Sequence, residues 1–342
     1  MSGIEDVAAL AGVSIATVSR ALNGRGQIAA STRQRVEEAA ARLGYVASAS
    51  ASSLASGRTR NIGVLMPDME RWFRASVLAG IAETLGRHGF DLTLYNISED
   101  GAQRSEVFDT SLRRRRVDGV IAISLELSED ESRQLADAGL PVISVGGSSP
   151  RGATLSVDDF AVAHLATDHL IGLGHRVIGH IGGVGDIGIS CAVPSDRRRG
   201  FESAPTSAGT PVEPSLVVRS EYSIEAGSRS AKQLLGRPGV RPTAIFAGCD
   251  EIAIGAILAA RDLGYRVPDD VSIIGIDGHE LGEFFSLTTV DQFPRHQGER
   301  AADAVLDQVL GPVGSTPPVH SDVPYELVVR GTTRAPATRE GS

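Results

Sequence analysis

A stretch near the N-terminus combines side chains that suit contact with DNA. Arg20 carries a guanidinium, which can donate paired hydrogen bonds to O6 and N7 of a guanine. Groups that can bond phosphate oxygens surround it, on Ser14, Thr17, Ser19 and Asn23. At helical spacing, the face that carries Arg20 also carries Ile15 and Ala16, while the opposite face carries apolar Val18 and Leu22. The pattern therefore predicts a helix that enters the major groove.

Local signals divide the first 45 residues into three short helices. The first covers Glu5–Ala11 and ends at Gly12, because glycine permits the tight turn of a helix-turn-helix. Ser14 is a favourable N-cap for the second, which runs to about residue 23. A capping-box pattern predicts that the third begins at Ser31, and Gly44 follows its last apolar residue. A plain helical bundle is the alternative, but turn, cap and exposed face agree on a DNA-reading head over residues 1–45.

Charge is unevenly distributed along the chain. The 342 residues carry a formal net charge of −9, but the first 60 residues hold seven arginines against four acidic residues. The head region therefore has a net charge of +3 and the remainder has −12. A basic head on an acidic body confines the attraction for phosphate to the head.

Composition narrows the class of protein. Hydrophobic residues make up 42% of the chain and charged residues 22%, as in ordinary globular proteins. No apolar run reaches the roughly 18 residues of a membrane span, and the N-terminus lacks the regions of a signal peptide. Two cysteines, Cys191 and Cys249, are too few for a disulfide framework. We therefore expect a cytoplasmic protein that has no contact with a membrane.

Residues 61–332 alternate strand-like apolar runs with amphipathic helices. Such alternation predicts parallel sheets that are covered by helices on both faces. About 270 residues is long for one doubly wound sheet, so we expect an α/β sensor of two lobes behind an all-α head. The predicted helices include Gln103–Arg115 and Ile224–Leu235, and the predicted strands include Ala244–Ala247. Residues 333–342 are predicted to be a tail, which lacks the heptads of a tetramerising coiled coil.

The head also carries a family signature. Its residues DVAALAGVSIATVSRALNG resemble the signature of the LacI/GalR family of bacterial repressors, and STRQRVEEAAARLGY resembles that family's third helix. The resemblance covers essentially the whole chain, since the body resembles periplasmic sugar-binding proteins. It implies an effector-controlled regulator that binds palindromic operator DNA as a homodimer, with Ile15, Ala16 and Arg20 at base-reading positions. We expect neither enzyme activity nor a cofactor.

Residues 46–60 are small and polar, which alone indicates a flexible linker. In the family, a hinge helix forms here on operator DNA and a leucine, matched by Leu54, wedges into the minor groove. The family pattern Tyr-x-Pro-Asn-x-x-Ala-Arg-x-Leu is partly lost, because Ala47, Ser48 and Ser52 stand at its proline, asparagine and arginine. Ala47 lacks the fixed φ that starts a helix, and Ser52 lacks a cation near phosphate. We therefore expect a hinge that is less stable than in the family or that depends more on the partner subunit.

By the same resemblance, an effector binds between the lobes at the strand ends, where open α/β sheets bind ligands. The positions that match the family's pocket are Trp72, Phe73, Arg197, Tyr222, Cys249, Asp250 and Asp277. The aromatic side chains can stack on a sugar or a base, and Arg197 and Asp277 can hydrogen-bond hydroxyl or amine groups. Cys249 replaces a residue that is usually polar, which puts one expected hydrogen bond in doubt. A monosaccharide or glycoside is the favoured effector, and a nucleoside or purine would also fit.

Other motifs point to competing functions with less support. Gly183–Gly188 reads G-x-G-x-x-G, as in a nucleotide-dependent enzyme, but Pro194 argues for a loop where that motif needs a helix. A sugar-binding transport component is opposed by the DNA head and by the absence of a signal peptide. The run Arg113–Arg116 is expected to be a solvated helix end, too far from the head for contact with nucleic acid. The histidines are too irregularly spaced for a metal site.

We expect Ser52→Arg to tighten operator binding by about three- to tenfold at fixed salt, because it restores a cation beside the phosphates. The measurement is the Kd in a gel-shift titration, with Ser50→Arg as a control that adds the same charge out of register. An unchanged Kd for Ser52→Arg would contradict the proposed role of this position.

Overall fold

The computed structural model describes residues 3–22, 28–45, 57–97, 101–114, 116–183, 192–207, 209, 212–311 and 320–337. These residues fall into two compact units, Met1–Arg60 and Asn61–Ser342. Several predicted features lie outside the described residues: Asn23, the linker with Leu54, Arg115, and the glycine motif after Gly183.

The described residues of the first unit form three helices around a small apolar core. They are α1 Ile4–Ala11, α2 Ile15–Leu22 and α3 Ala30–Leu43. Gly12 and Gly44 end α1 and α3 with φ angles of 66° and 59°, which confirms both predicted stops. Ser14 Oγ accepts a hydrogen bond from Thr17 N at 3.2 Å, which confirms the predicted N-cap. The capping box at Ser31 is wrong, because α3 begins one residue earlier, after Ala29, whose side chain cannot cap it.

In the described part of the second unit, twelve strands form two six-stranded sheets. In chain order they are β1 Asn61–Met66, β2 Asp91–Asn96, β3 Gly119–Ile123, β4 Val142–Val145, β5 Ala153–Ser156, β6 Ile178–Gly183, β7 Val217–Ser220, β8 Ala244–Ala247, β9 Ser272–Asp277, β10 Thr288–Asp291, β11 His320–Asp322 and β12 Glu326–Val328. The first lobe has the order β11-β5-β4-β3-β1-β2 and the second has β12-β10-β9-β8-β6-β7. Every pairing is parallel except that of β12 with β10, so the predicted two-lobed α/β class is confirmed.

Eight helices cover these sheets in the described part of the second unit. They are α4 Trp72–Arg87, α5 Gly101–Glu106, α6 Glu129–Asp137, α7 Asp159–Gly172, α8 Val193–Ser207, α9 Ile224–Leu235, α10 Asp250–Asp262 and α11 Pro294–Leu310. The predicted bounds of α9 and β8 agree to the residue. Among the described residues, no helix has the length and apolar character that a membrane span requires.

The predicted helix Gln103–Arg115 is wrong in its second half. After α5 the chain forms a wider π turn over Val107–Ser111 and a tighter 3₁₀ turn over Leu112–Arg114. Val107 and Leu112 are both buried although they are five residues apart. That spacing suits an i to i+5 turn, and a regular α-helix would direct the two side chains to different faces.

The chain passes between the lobes three times, after β5, β10 and β11. The second passage returns α11 to the first lobe, where it packs on α4 with very close backbone approach. A Cβ on Gly80 would overlap the carbonyl oxygen of Arg295, and a Cβ on Gly298 would overlap that of Val77. The two helices therefore need glycine at both positions.

We expect Gly298→Ala to lower the free energy of unfolding by about 1–3 kcal/mol, because the added methyl group must push α11 off α4. Gly86→Ala is the matched control, since Gly86 lies in α4 with no atom within 4 Å of the added carbon. It should be neutral or raise stability by up to about 1 kcal/mol. Urea unfolding of the two variants tests this, and equal stability would contradict the close packing.

Candidate functional site

The exposed face of α2 is the candidate DNA-reading surface. Ile15, Ala16 and Arg20 are exposed, whereas Val18 and Ala21 are buried on the opposite face. Arg20 Nε donates a hydrogen bond to Ala16 O at 3.1 Å, which holds the side chain along its own helix. The structure thus puts the three predicted base-reading residues on one solvent-facing side of α2.

The start of α2 presents the candidate phosphate-binding hydroxyls. The Ser14 and Thr17 hydroxyl oxygens lie 2.9 Å apart and bond to each other. Ser19 is half-buried one turn later. A helix N-terminus with exposed hydroxyls is suited to a phosphate group, because the free backbone N–H groups carry partial positive charge. The first turn is thus already ordered for such a contact.

In the second unit, a buried arginine lies between two aspartates. Arg197 Nε donates to Asp159 Oδ1 at 2.7 Å, and Arg197 Nη1 donates to Gly248 O at 2.5 Å. Asp277 Oδ1 lies 3.6 Å from Arg197 Nη1 and accepts a 2.6 Å hydrogen bond from Gln292 Nε2. The arginine and both aspartates are at most 13% exposed. One guanidinium therefore faces two carboxylates in a nearly dry environment.

Burial and charge set the ionisation of this cluster. Burial opposes the charged form of Arg197, but Asp159 and Asp277 outweigh it, so the pKa of the guanidinium is raised. Burial raises the pKa of the Asp277 carboxyl well above its ordinary value, although Arg197 acts in the opposite direction. Burial also raises the pKa of Asp159. The two carboxyl groups have more hydrogen-bond-accepting lone pairs than Arg197 and Gln292 fill, so the cluster has spare capacity to accept hydrogen bonds.

The local backbone geometry positions the side chains of Arg197, Asp159 and Asp277. A Cβ on Gly200 would overlap the carbonyl oxygen of Phe160, so α7 and α8 approach closely and bring Arg197 beside Asp159. Asp277 ends β9 with a φ of 129°, a conformation that L residues rarely adopt and that costs about 1–3 kcal/mol. Such strain is typical of functional sites, where the surrounding structure must hold the residue in place.

The cluster opens on a cleft of about 680 Å³ between the lobes. Residues from both lobes line it: Arg71, Phe73, Arg74, Ser124, Gly146, Val157, Asp159, Val193, Pro194, Arg197, Tyr222, Glu251, Asp277, Gln292 and Gln297. The strand-end residues among them, such as Ser124 after β3 and Asp277 in β9, place the cleft at the carboxyl ends of both sheets. That is where parallel α/β sheets usually bind ligands.

Four of the seven predicted pocket residues line this cleft, namely Phe73, Arg197, Tyr222 and Asp277. Trp72 instead stacks on His279, with ring centroids 4.4 Å apart and an interplanar angle of 21°. Cys249 Sγ accepts a hydrogen bond from Ile252 N at 3.4 Å and so caps α10. Asp250 accepts from His279 N and Thr289 Oγ1, each at 2.8 Å, and braces the turn after Asp277. Effector contact by these three residues stays a prediction.

The sequence analysis did not single out several lining residues that the fold brings to the cleft. Asp159, Ser124, Glu251, Gln292 and Gln297 come from five separate segments. A signal existed for Asp159, since Val-Asp-Asp follows the short alternating strand β5 and an aspartate is a favourable N-cap for the helix that begins there. For Gln292 the signal is weaker, because β10 is only four residues long.

The glycine motif has a structural explanation at its first position. A Cβ on Gly183 would overlap the ring of Tyr222, so glycine is needed there for the tyrosine to lie against the end of β6. The loop predicted at Pro194 is wrong, because α8 begins at Val193 and Pro194 is its second residue. Proline is tolerated in the first helical turn, where its missing N–H has no helical partner in any case.

The described residues contain no group of three or more histidine, cysteine, aspartate or glutamate side chains that could hold a metal ion. His180 belongs to the core instead, because its ring stacks between Phe201 and Phe246 at centroid distances of 4.8 and 4.9 Å. Burial lowers its pKa to about 4. The imidazole is therefore neutral at physiological pH.

Glu251 connects the two lobes at the rim of the cleft. It lies in the first turn of α10, in the second lobe, and its carboxyl interacts electrostatically with Arg71, Arg74 and the backbone N–H of Trp72, all in the first lobe. Burial raises the pKa of its carboxyl to about 7, although Arg71 and Arg74 act in the opposite direction. With the stacking of Trp72 on His279, this makes two contacts that hold the lobes together on one side.

Comparisons with known proteins agree with both units. Residues 3–48 match the family "Bacterial regulatory proteins, lacI family", and residues 167–333 match "Periplasmic binding protein-like domain". The HTH-type transcriptional repressor CytR of Escherichia coli (strain K12) is 33% identical, over 97% of this chain and 96% of its own length. The fold resembles the Lac repressor dimer bound to operator and the anti-inducer ONPF, with TM-score 0.83, 26% identity and coverage of 98% and 99%. It also resembles the transcriptional regulator CelR–cellobiose complex, with TM-score 0.70, 28% identity and coverage of 97% and 100%.

The Glu251 contact predicts that lobe closure depends on pH. The pKa of the carboxyl is about 7 when the lobes are in contact, against an ordinary value of about 4.5, so closure takes up a proton. Lowering the pH from 8 to 6 should therefore favour the closed form. The groups that face Glu251 are Arg71, Arg74 and Asp68 from the first lobe and Asp277 from its own lobe.

Fluorescence of Trp72 measures this directly, because the chain has a single tryptophan and that residue makes both contacts. The wild type should show a transition near pH 7, and Glu251→Gln should remove it. Burial lowers the pKa of His279, so this ring stays neutral over most of the range. Glu280→Gln, which changes an exposed carboxylate beside His279, is the control and should leave the midpoint unchanged. A Glu251→Gln titration like that of the wild type would contradict the assignment.

Proposed function

The chain belongs to the lacI family of bacterial regulatory proteins, and on that basis we propose that it is a cytoplasmic repressor whose affinity for a palindromic operator is set by a sugar in the interlobe cleft. Family membership supports DNA binding, repression and an effector-binding body. The class of effector, the operator symmetry and the roles of single residues are the parts that this proposal adds.

The excess of carboxylate over guanidinium in the Arg197 cluster is the observation that supports a sugar. The cluster can accept more hydrogen bonds than its own donors fill, and sugar hydroxyls supply donors without adding charge. A phosphate or carboxylate at this point would add a negative charge to two buried carboxylates. Phe73 and Tyr222 on the lining give flat surfaces for the apolar face of a sugar ring.

A neutral nucleoside meets the same requirements and is the second candidate. Its ribose hydroxyls can donate to Asp277, and its base can stack on the same aromatic residues. The structural relative bound to cellobiose favours the sugar. A screen of both ligand classes separates the candidates.

An exposed apolar surface on the second lobe supports a homodimer. Phe284 is 85% exposed and Leu281, in the same turn, is 37% exposed. The neighbouring Phe285 lies under Arg261 of α10, and Leu258 on that helix is also 37% exposed. Apolar side chains grouped in this way are typical of a protein interface. Sedimentation at the mass of a single chain in the presence of operator would exclude the dimer.

Regulation requires that the effector bind the closed and open lobes with different affinity. The cleft lies between segments of both lobes, so a ligand that contacts Phe73 in the first and Arg197 in the second favours closure. Closure alters the first lobe, to which the linker is attached at Asn61. The effector and the operator thereby influence each other's affinity through the same lobe.

Two variants test whether the head binds the operator and the cleft binds the effector independently. Arg20→Ala should weaken operator binding by about 5- to 150-fold, the loss of one bidentate base contact, and leave effector binding unchanged. Asp277→Asn should leave basal operator binding unchanged and weaken the effector at least about tenfold, because a charged hydrogen-bond acceptor is lost. Gel shifts on the DNA upstream of the gene and a thermal-shift screen of sugars and nucleosides provide the measurements.

Asp303→Asn is the control, since it alters an exposed aspartate of α11 away from the cleft and should affect neither measurement. A nucleoside that shifts the melting temperature where no sugar does would replace the sugar in the proposal. No gel shift at low salt would overturn the proposal as a whole.

A further inference from the structure

Four consecutive arginines, Arg113–Arg116, form the longest run of basic residues in the sequence. They follow the π turn after α5 and lead into β3. Arg113, Arg114 and Arg116 are exposed. Arg116 interacts electrostatically with Tyr95 of β2, whereas the described side chains of Arg113 and Arg114 take part in no hydrogen bond or ion pair and do not line the cleft, so these arginines need an explanation of their own.

The run lies beside the point where the linker joins the second unit. Asn61 Nδ2 donates to Arg116 O at 2.9 Å, and Asp118 N donates to Asn61 O at 2.8 Å. Asn61 is the first residue of β1, and the preceding residues 46–60 lead to the DNA-reading head. The expectation that the run is too far from the head for contact with nucleic acid rested on distance along the sequence, whereas the fold places Arg116 beside Asn61, the first residue after the linker.

The edge at which the linker joins is locally positive on an acidic body. It consists of the amino ends of the first lobe's strands, opposite the cleft. Arg87 ends α4 at this edge and adds a further cation, while Asp91 begins β2, Asp118 precedes β3 and Asp137 ends α6. The arginines outnumber these aspartates, although residues 61–342 as a whole carry a net charge of −12.

We propose that the exposed residues Arg113, Arg114 and Arg116 form a second DNA-contacting surface, which binds the phosphate backbone beside the operator while the heads hold the operator itself. The proposal rests on the DNA binding of the proposed function and adds a site to it. The partner is duplex DNA of any sequence, because guanidinium groups on a loop meet phosphates without reading bases.

Covalent attachment makes a weak contact effective. Once the head is bound, a linker of 15 residues ties this edge to the DNA, and such a segment spans at most about 50 Å. Short tethers of this kind give effective concentrations in the millimolar range. Each arginine that neutralises a phosphate also releases a counterion condensed on the DNA, so the contact depends strongly on salt.

A simpler explanation is that the arginines only stabilise the end of the 3₁₀ turn, where the carbonyl groups favour cations. That explanation predicts a loss of thermal stability on substitution with no effect of DNA length. The two explanations therefore differ in one measurable quantity, the dependence of affinity on the length of the DNA that flanks the operator.

The test uses the double variant Arg113→Ser/Arg114→Ser and two DNA fragments. One is a fragment of about 60 base pairs from upstream of the gene, and the other is the same site trimmed to its footprint. The matched control, Arg237→Ser/Arg241→Ser, removes two arginines from the loop before β8. This loop is the equivalent position in the second lobe, because β8 is the third strand of that lobe and β3 is the third strand of the first lobe. Arg113→Lys/Arg114→Lys changes the same two residues but keeps their charge, so it separates the loss of charge from any effect of substitution on folding.

We expect the wild type, the control and the lysine variant to bind the long fragment about tenfold more tightly than the trimmed one at about 100 mM salt. The serine variant should bind both fragments equally, with the affinity of the wild type for the trimmed one. Its salt slope on the long fragment should fall by about two to four, since each neutralised phosphate contributes about 0.9 and a dimer lacks four arginines.

Equal binding of both fragments by the wild type would overturn the inference and leave the repressor function intact. A length effect that persists in the folded serine variant would also overturn it. Failure of the wild type to bind either fragment would overturn the proposed function together with the inference, so the two failures are distinguishable.

Discussion

The bond from Arg197 to Asp159 joins α8 to the start of α7 at the place where β8 and β9 end. The glycine at position 200 lets these helices approach, and the strained backbone of Asp277 brings a second carboxylate to the same guanidinium. Removing Arg197 would leave two buried carboxyl groups without a cation, which costs several kcal/mol. The cleft and its preference for hydrogen-bond donors follow from this arrangement.

Local signals in the sequence predict local structure well. Gly12, Ser14 and Gly44 act within one helical turn of themselves, and the helix-turn-helix was therefore predictable. Ser31 shows the limit of such rules, because α3 begins before the residue that could cap it. The expected helix after Glu106 fails for a similar reason. Val107 and Leu112 are both buried by contacts with residues distant in sequence, and this favours a π turn that no local propensity predicts.

The site was only partly predictable because its chemistry comes from contacts far apart in sequence. Arg197, Tyr222, Asp277 and Phe73 were found through family resemblance, and the fold does place them on one cleft. Asp159 completes the charge balance but lies 38 residues from its partner arginine, so spacing alone could not connect them. Asp250 and Cys249 illustrate the converse, since their polar atoms are occupied in bracing a turn and capping a helix.

The threefold passage of the chain between the lobes has a consequence for biosynthesis. The first lobe lacks α11 and β11 until residue 322 has been made, whereas the head needs only the first 45 residues. A nascent chain emerging from the ribosome can therefore fold its DNA-reading head long before either lobe is complete. For the same reason, no contiguous gene fragment encodes one lobe, and recombination between relatives can exchange heads freely but must exchange the body as a whole.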